Sequence, residues 1–163
     1  DGFSRLYNHQ QFKLMIREEI SRSRRYEKEL GLIMFDIDDF KQFNDSFGHA
    51  NGDRALVVIS YVLKRTLRES DFSFRYGGEE FVVMLPETGL EPTLDAAERI
   101  SAAIREESAR SFSEIYNHPI TISGGVAVYP HDGKSDQELF KVVDDMLYEA
   151  KRTGKDRICH TGN

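Results

Sequence analysis

The chain has 163 residues, 39% hydrophobic and 31% charged, the make-up of one soluble globular domain with room for a proper core. Its net charge of −6 excludes a generally basic surface for nucleic acid or membrane, and it obliges any polyphosphate ligand to find local cations or a metal. The single cysteine, Cys159, cannot form an internal disulfide, which points to a reducing compartment, and no apolar run approaches membrane-spanning length.

In chain order, Asn8 is a candidate cap for a helix running to about Lys28, with Phe12, Met15, Ile16 and Ile20 at helical spacing. Leu30–Ile37, LGLIMFDI, is apolar over a strand's length and ends abruptly in acid, which predicts a buried strand. The polar segment Asp38–Asp53 predicts a short helix and glycine-rich turns. From Asp53 onward, Leu56, Ile59, Leu63 and Leu67 mark a long amphipathic helix. Phe72–Tyr76 and Phe81–Leu85 flank Gly77-Gly78-Glu79-Glu80 and predict a β-hairpin whose glycines supply the positive φ of a tight turn. Pro86 ends its second strand. A helix follows through Leu94, Ala97, Ile100 and Ile104, then a strand over Ile120–Pro130 with a bulge expected at Gly124-Gly125. Leu139, Val143, Met146, Leu147 and Ala150 predict a last long helix stopped by Gly154, and a short strand near Arg157–Cys159 completes the sheet. The order contains a βαββαβ core. It predicts an α+β sandwich, with a mixed, mostly antiparallel central sheet flanked by helices.

Acidic residues gather at two places far apart in sequence. Asp36, Asp38 and Asp39 end the first strand, while Glu79 and Glu80 occupy the hairpin turn. If those strands are neighbours, the carboxylates converge at one edge, where repulsion is relieved by solvent or by a hard cation such as Mg²⁺. Asp36 and Asp38 share a strand face and Asp39 does not. Acidic strand ends are commonly just solvated. The glycine pair beside Glu79 weighs toward a ligand, because glycine lets a backbone approach one closely. Asn44 and Asp53 together offer the donor and acceptor groups that suit a guanine edge. Singly, Asn44 reads as a turn residue and Asp53 as the N-cap of the helix beginning RALVVIS. His49, with no nucleophile or base beside it, reads as structural. Lys151 and Lys155, four apart at a helix C-terminus, can reach one phosphate chain or simply complement the helix dipole.

Taken together, these segments resemble the GGDEF domain family, the diguanylate cyclases. GGEEF at Gly77–Phe81 is the signature in its glutamate form. FDIDDFKQFNDSFGHANGD at Phe35–Asp53, DGFSRLYNHQ at the start and DDMLYEAKRTGKDRI near the end resemble further family blocks in order. The resemblance covers essentially the whole chain and implies one nucleotidyl-cyclase-like α+β domain over residues 1–163. It implies a reaction that joins two GTP molecules into cyclic di-GMP with release of two pyrophosphates. By motif position it implies Mg²⁺, with Mn²⁺ as a substitute, ligated by Asp36, Glu79 and the Ile37 carbonyl, and Glu80 as a further ligand or supporting carboxylate. Asp36 and Glu79 are then catalytic, and Asn44 and Asp53 hold guanine. Lys151 and Lys155 hold the β/γ-phosphates, and Asp38, Phe40 and Lys41 are implied as further substrate contacts, through the backbone amides after Asp38. The residues leave open whether Glu79 or a hydroxide removes the proton of the attacking 3′-hydroxyl. One GTP per domain implies a homodimer, brought together by a sensor module upstream of Asp1, where the chain starts without Met. The expected setting is cytoplasmic, with any membrane anchor upstream and no direct contact with membrane or nucleic acid.

Arg68–Asp71, RESD, matches the family's product-inhibition motif RxxD at its expected distance before the signature. Arg68 is suited to bidentate contacts with a guanine edge or phosphate and Asp71 to accepting from guanine N–H groups, which makes an allosteric cyclic di-GMP site. Arg99 is expected to contribute from a neighbouring domain. The chain departs from the family pattern at Arg5 (usually Gly), His9 (usually Arg), Lys155 (commonly Arg) and Asp156 (commonly Asn). Lysine keeps the charge of arginine but loses its planar fork. The alternative class is a GGDEF domain without turnover that senses GTP or cyclic di-GMP; the presence of Asp36, Glu79, Asn44 and Asp53 favours the enzyme. A third class, a dimerising scaffold, predicts no Mg²⁺-dependent nucleotide binding.

Overall fold

A computed structural model describes residues 6–116 and 118–162. Helix α1 (His9–Tyr26) opens with a reciprocal cap. The Gln11 amide donates to the Asn8 side chain at 2.9 Å, and the Asn8 amide donates to the Gln11 side chain at 2.8 Å. It is followed by β1 (Leu30–Ile37), α2 (Phe40–Phe47), α3 (His49–Thr66), β2 (Phe72–Arg75) and β3 (Glu80–Pro86). Then come α4 (Leu90–Ser111), β4 (Ile122–Tyr129), α5 (Asp136–Arg152) and β5 (Ile158–His160). The strands form one five-stranded sheet in the order β2-β3-β1-β4-β5, antiparallel except for the parallel pair β4–β5. This is the α+β sandwich that the order of elements predicts. No described helix is long and apolar enough to cross a membrane.

Strand β1 lies in the middle of the sheet and is buried along its whole length, because helices cover both faces. Ile33, Phe35 and Ile37 point into a core shared with α3 and α4 through Ile59, Leu63, Ile100 and Ile104. Leu30, Leu32 and Met34 point the other way, against α1 and α5, through Phe12, Ile16, Val143 and Leu147. A strand buried on both sides reads as an unbroken apolar run, and its alternation assigns Asp36 to the α1/α5 face.

Local structure departs from the sequence reading where glycines are dense. Gly77 and Gly78 do not adopt positive φ; among the described glycines Gly48, Gly154 and Gly162 do. The connection 76–79 is closed instead by the Tyr76 and Gly77 amides, which donate to the Glu80 carbonyl at 2.8 and 3.2 Å. Gly124-Gly125 makes no bulge, since β4 pairs with β1 residue by residue, Met34 with Gly125 and Phe35 with Gly124. A Cβ at Gly125 would stand 2.4 Å from the Val143 carbonyl oxygen and 2.5 Å from the Leu147 amide nitrogen. Glycine is needed there so that the α5 backbone can lie directly on the strand. Asp53 is not an N-cap: α3 begins at His49, after Gly48, and carries Asp53 in its second turn.

Candidate active site

The sheet pairing brings the acids together. Asp36 and Glu80 are direct partners across β1 and β3, so their side chains share the α1/α5 face at the same edge. Lys151, in the last turn of α5, places its amine on Asp36 Oδ2. The other oxygen, Asp36 Oδ1, is buried and has no hydrogen-bond partner. Burial pushes the Asp36 carboxyl up from 3.8 to about 6; Lys151 pulls it down, and the charges of Glu79 and Asp38 push it up further. Glu79, half-buried in the connection before β3, is also held above the ordinary glutamate value by burial, opposed by Lys151 and assisted by Glu80. Gly77 leaves room for Glu80, whose Oε1 would lie 2.8 Å from an added Cβ. Ile37 buries its side chain in the core, so only its main chain can serve a ligand. Among the described residues no three His, Cys, Asp or Glu side chains converge as a ready-made metal set. The Asp36 and Glu79 carboxylates and the Ile37 carbonyl are oxygen donors of the kind a hard cation takes, and Asp36 Oδ1 is a buried oxygen that such an ion would satisfy.

Asp38 and Asp39 divide as their faces require. Asp38 is engaged throughout: Thr121 and Ser123 hydroxyls donate to its carboxylate at 2.7 and 2.6 Å, and the Asp156 amide donates at 3.0 Å. Its own amide donates to the Thr121 carbonyl at 2.9 Å, so Asp38 ties the end of β1 to β4 and to the turn after α5. Asp39 turns the chain with left-handed backbone (φ 54°) into α2 and accepts from the Lys155 amine at 2.6 Å. The amides of Phe40 and Lys41 lie in the first turn of α2, where no intrahelical carbonyl precedes them. Lys151 and Lys155 thus meet this edge by different routes. Lys151 is helical, whereas Lys155 lies beyond the helix end with φ 65°.

Beside this edge a cleft of about 300 Å³ is lined by Asn44, Asp53, His49, Arg75, Gly78 and Glu79, with the Phe40 ring. Asn44 Oδ1 is buried there without a hydrogen-bond partner. Gly52 makes this possible, since its Cβ would stand 1.8 Å from that oxygen. Arg75 donates to the Gly77 and Gly78 carbonyls at 3.3 and 2.8 Å and so braces the signature turn from behind. Neither Gly52 nor Arg75 stood out in the sequence. The only signal was their position inside the GHANGD and RYGGEEF blocks. His9 packs against Tyr76 with the rings tilted at 52° and their centroids 4.2 Å apart, and its buried Nε2 has no hydrogen-bond partner. Arg5 lies outside the described residues.

At the opposite end of β3, roughly 20 Å from the signature for six residues of strand rise, Arg68 and Asp71 pair at 2.8 Å. Asp71 is nearly fully buried, and the Arg68 guanidinium also donates to Thr88 Oγ1 at 2.9 Å and the Pro86 carbonyl at 3.2 Å. They line a second cleft of about 300 Å³ together with Thr88, Asp95 and Arg99. Arg99 therefore joins Arg68 from α4 of the same chain.

Over residues 1–157 the chain matches the family described as diguanylate cyclase, GGDEF domain. It is 38% identical over 159 residues to diguanylate cyclase DgcP of Pseudomonas aeruginosa, covering 97% of this chain and 23% of that protein. It superimposes with a TM-score of 0.89 on the active GGEEF domain of a diguanylate cyclase from Vibrio cholerae, at 31% identity over 98% of this chain and 99% of that one. The GGDEF domain of DgcB from Caulobacter crescentus, solved in complex with c-di-GMP, gives a TM-score of 0.89 at 27% identity over 100% and 95% of the two chains. The chain spans less than half the length of the first curated relatives it matches. Signature turn, acidic edge, sheet order and these likenesses agree, and the chain belongs to the diguanylate cyclase GGDEF domain family.

Proposed function

We propose that this domain is a diguanylate cyclase unit: it binds GTP and, paired with a second copy, forms cyclic di-GMP. The observation that carries the reading is the orphaned, buried Asp36 Oδ1 beside Glu79, next to a cleft whose Asn44 Oδ1 is likewise without a partner. Asn44 and Asp53 suit the guanine edge, and the first-turn amides of α2 with Lys151 and Lys155 suit the phosphates. Binding requires both lysines to leave carboxylates, Lys151 from Asp36 and Lys155 from Asp39, so triphosphate and cation exchange for internal ion pairs. Asp36, Glu79 and the Ile37 carbonyl, with Glu80 in support, would hold Mg²⁺ or Mn²⁺. Such an ion, when bound, polarises the α-phosphoryl group and stabilises departing pyrophosphate. Glu79, which burial holds above the ordinary glutamate value, suits the removal of a 3′-hydroxyl proton. That oxygen bonds to the α-phosphorus as the bond to the β-phosphate oxygen breaks, and two such transfers close the ring. One cleft admits one GTP, so the attacking hydroxyl comes from a second domain facing the first.

The Arg68–Asp71 cleft is read as the product-inhibition site, supported by its pairing and by a structural relative solved with c-di-GMP. The test of the main reading is incubation of the domain, fused to a dimerising partner, with GTP and Mg²⁺, and product identification by mass. Cyclic di-GMP from the wild type and none from Glu79→Gln is expected. Absence of cyclic di-GMP from the wild type would overturn the cyclase reading.

A further inference from the structure

The turn between α5 and β5 carries Lys155 in a conformation that side chains resist. Lys155 (φ 65°) and Asp156 (φ 47°) are consecutive left-handed residues after Gly154 at φ 129°. Non-glycine residues persist in that region only where their surroundings over-determine it. Two of the restraints are main-chain donors. The Lys155 amide donates to the Ala150 carbonyl at 2.9 Å, and the Asp156 amide to Asp38 Oδ2 at 3.0 Å. Those bonds are open to almost any residue at these positions. A further restraint depends on side-chain identity: Arg105 of α4 pairs with Asp156 Oδ1 at 2.5 Å, across 51 residues of sequence. Arg105 lines neither the guanine cleft nor the Arg68 cleft.

We infer that Arg105 is a positioning residue for nucleotide binding, acting through Asp156 to hold the left-handed turn that aims Lys155 at the start of α2. The inference rests on the reading of Lys155 as a phosphate contact. At present the Lys155 amine meets Asp39 Oδ1 at 2.6 Å, where α2 begins, and a ligand phosphate takes over that amine in the bound state. Without Arg105 the turn loses its only side-chain brace from α4 among the described contacts. The turn then rests on its main-chain bonds and on Arg157, whose side chain donates to the Lys155 carbonyl at 3.0 Å. An acid at 156 makes sense beside an arginine at 105, and the two positions form one device.

Two measurements on the intact domain test this. The first is amide hydrogen exchange at residues 154–157; the second is calorimetric binding of a non-hydrolysable GTP analogue with Mg²⁺. Arg105→Ala should speed exchange in the turn and weaken analogue binding, each by about three- to fivefold, the range open to a half-exposed ion pair. Arg105→Lys should restore most of both. Arg105→Ala/Asp156→Asn should recover neither affinity nor exchange protection, because it removes the unpaired charge but leaves the turn loose. In a Lys155→Ala background, Arg105→Ala should cost no further affinity, as one path links the two residues. Unchanged exchange in Arg105→Ala overturns the inference, and so does an equal loss of affinity with and without Lys155. Failure of the wild type to bind the analogue at all would sink the functional reading, while exchange in the turn still decides the role of Arg105.

Discussion

Replacing Asp36 by asparagine exchanges a buried carboxylate for a neutral amide of nearly the same shape, and its effect on stability can be worked from the site. The Asp36 side chain is 8% exposed, one oxygen meets Lys151 and the other meets nothing. Burial pushes its carboxyl up to about 6 in the folded domain, against 3.8 for the free group. Because the folded value is the higher one, Asp36 favours the fold most below about pH 4, and that contribution is lost as pH rises through about 6. A rise of this size corresponds to about 3 kcal/mol at neutral pH, and solvent screening at the open edge reduces it to about 1.5 kcal/mol. Asp36→Asn should therefore stabilise the metal-free domain by about 1.5 kcal/mol near pH 7.5, a rise in Tm of about 3–6 °C. Near pH 4 the gain should vanish, since the wild-type group is then protonated in the fold. Thermal and urea unfolding at both pH values, in chelator, provide the assay. A variant less stable than wild type near pH 7.5, or equally stabilised near pH 4, would refute the argument that Asp36 is a penalised buried charge.

Gly52→Ala should leave the fold intact, because alanine favours helix, yet displace Asn44, whose Oδ1 lies 1.8 Å from the new Cβ. GTP affinity should fall roughly tenfold, the value of a lost buried hydrogen bond to base, as read by calorimetry with unchanged circular dichroism. Gly125→Ala meets main-chain atoms of α5 at 2.4 and 2.5 Å, which cannot swing aside, and should cost about 3 kcal/mol by urea unfolding. Arg68→Ala removes the pair with Asp71 and the bonds to Thr88 and Pro86. Cyclic di-GMP affinity should drop about tenfold or more while initial GTP turnover stays unchanged, since the signature lies at the other end of β3.

The sheet was legible in sequence because strands and helices announce themselves by periodicity, and the acidic edge followed once β1 and β3 were taken as neighbours. What stayed hidden were contacts between segments remote in sequence. A glycine pair looks the same whether it serves positive φ, a bulge or close approach. Only the positions of Val143 and Leu147 show that Gly125 serves the last. The segment GHANGD reads as turns from its asparagine and glycines, yet forms the first turns of α3, where Gly52 yields space to Asn44. The four-residue spacing of Lys151 and Lys155 puts both at a helix C-terminus without showing the route by which Lys155 arrives. The helix ends at Arg152, and Lys155 arrives through a left-handed turn held by Asp38 and Arg105. Asp38, counted among the converging acids, also accepts from Thr121, Ser123 and Asp156, partners that no local pattern reveals.

The seating of α5 on Gly125 also works as a mechanical reference. Main-chain atoms come in one size, so the gap between helix and strand is set by atomic radii and not by any choice of side chain. Lys151 rides on the last turns of α5, Gly125 is paired with Met34, and Asp36 lies two positions along the same strand. The backbone positions of Lys151 and Asp36 are thereby gauged against each other through main-chain contacts. Leu139 and Val143 can be exchanged for other apolar residues, and α5 will rock about this bearing point more readily than it lifts from it. The spacing at the acidic edge is in this way insulated from the ordinary drift of core side chains.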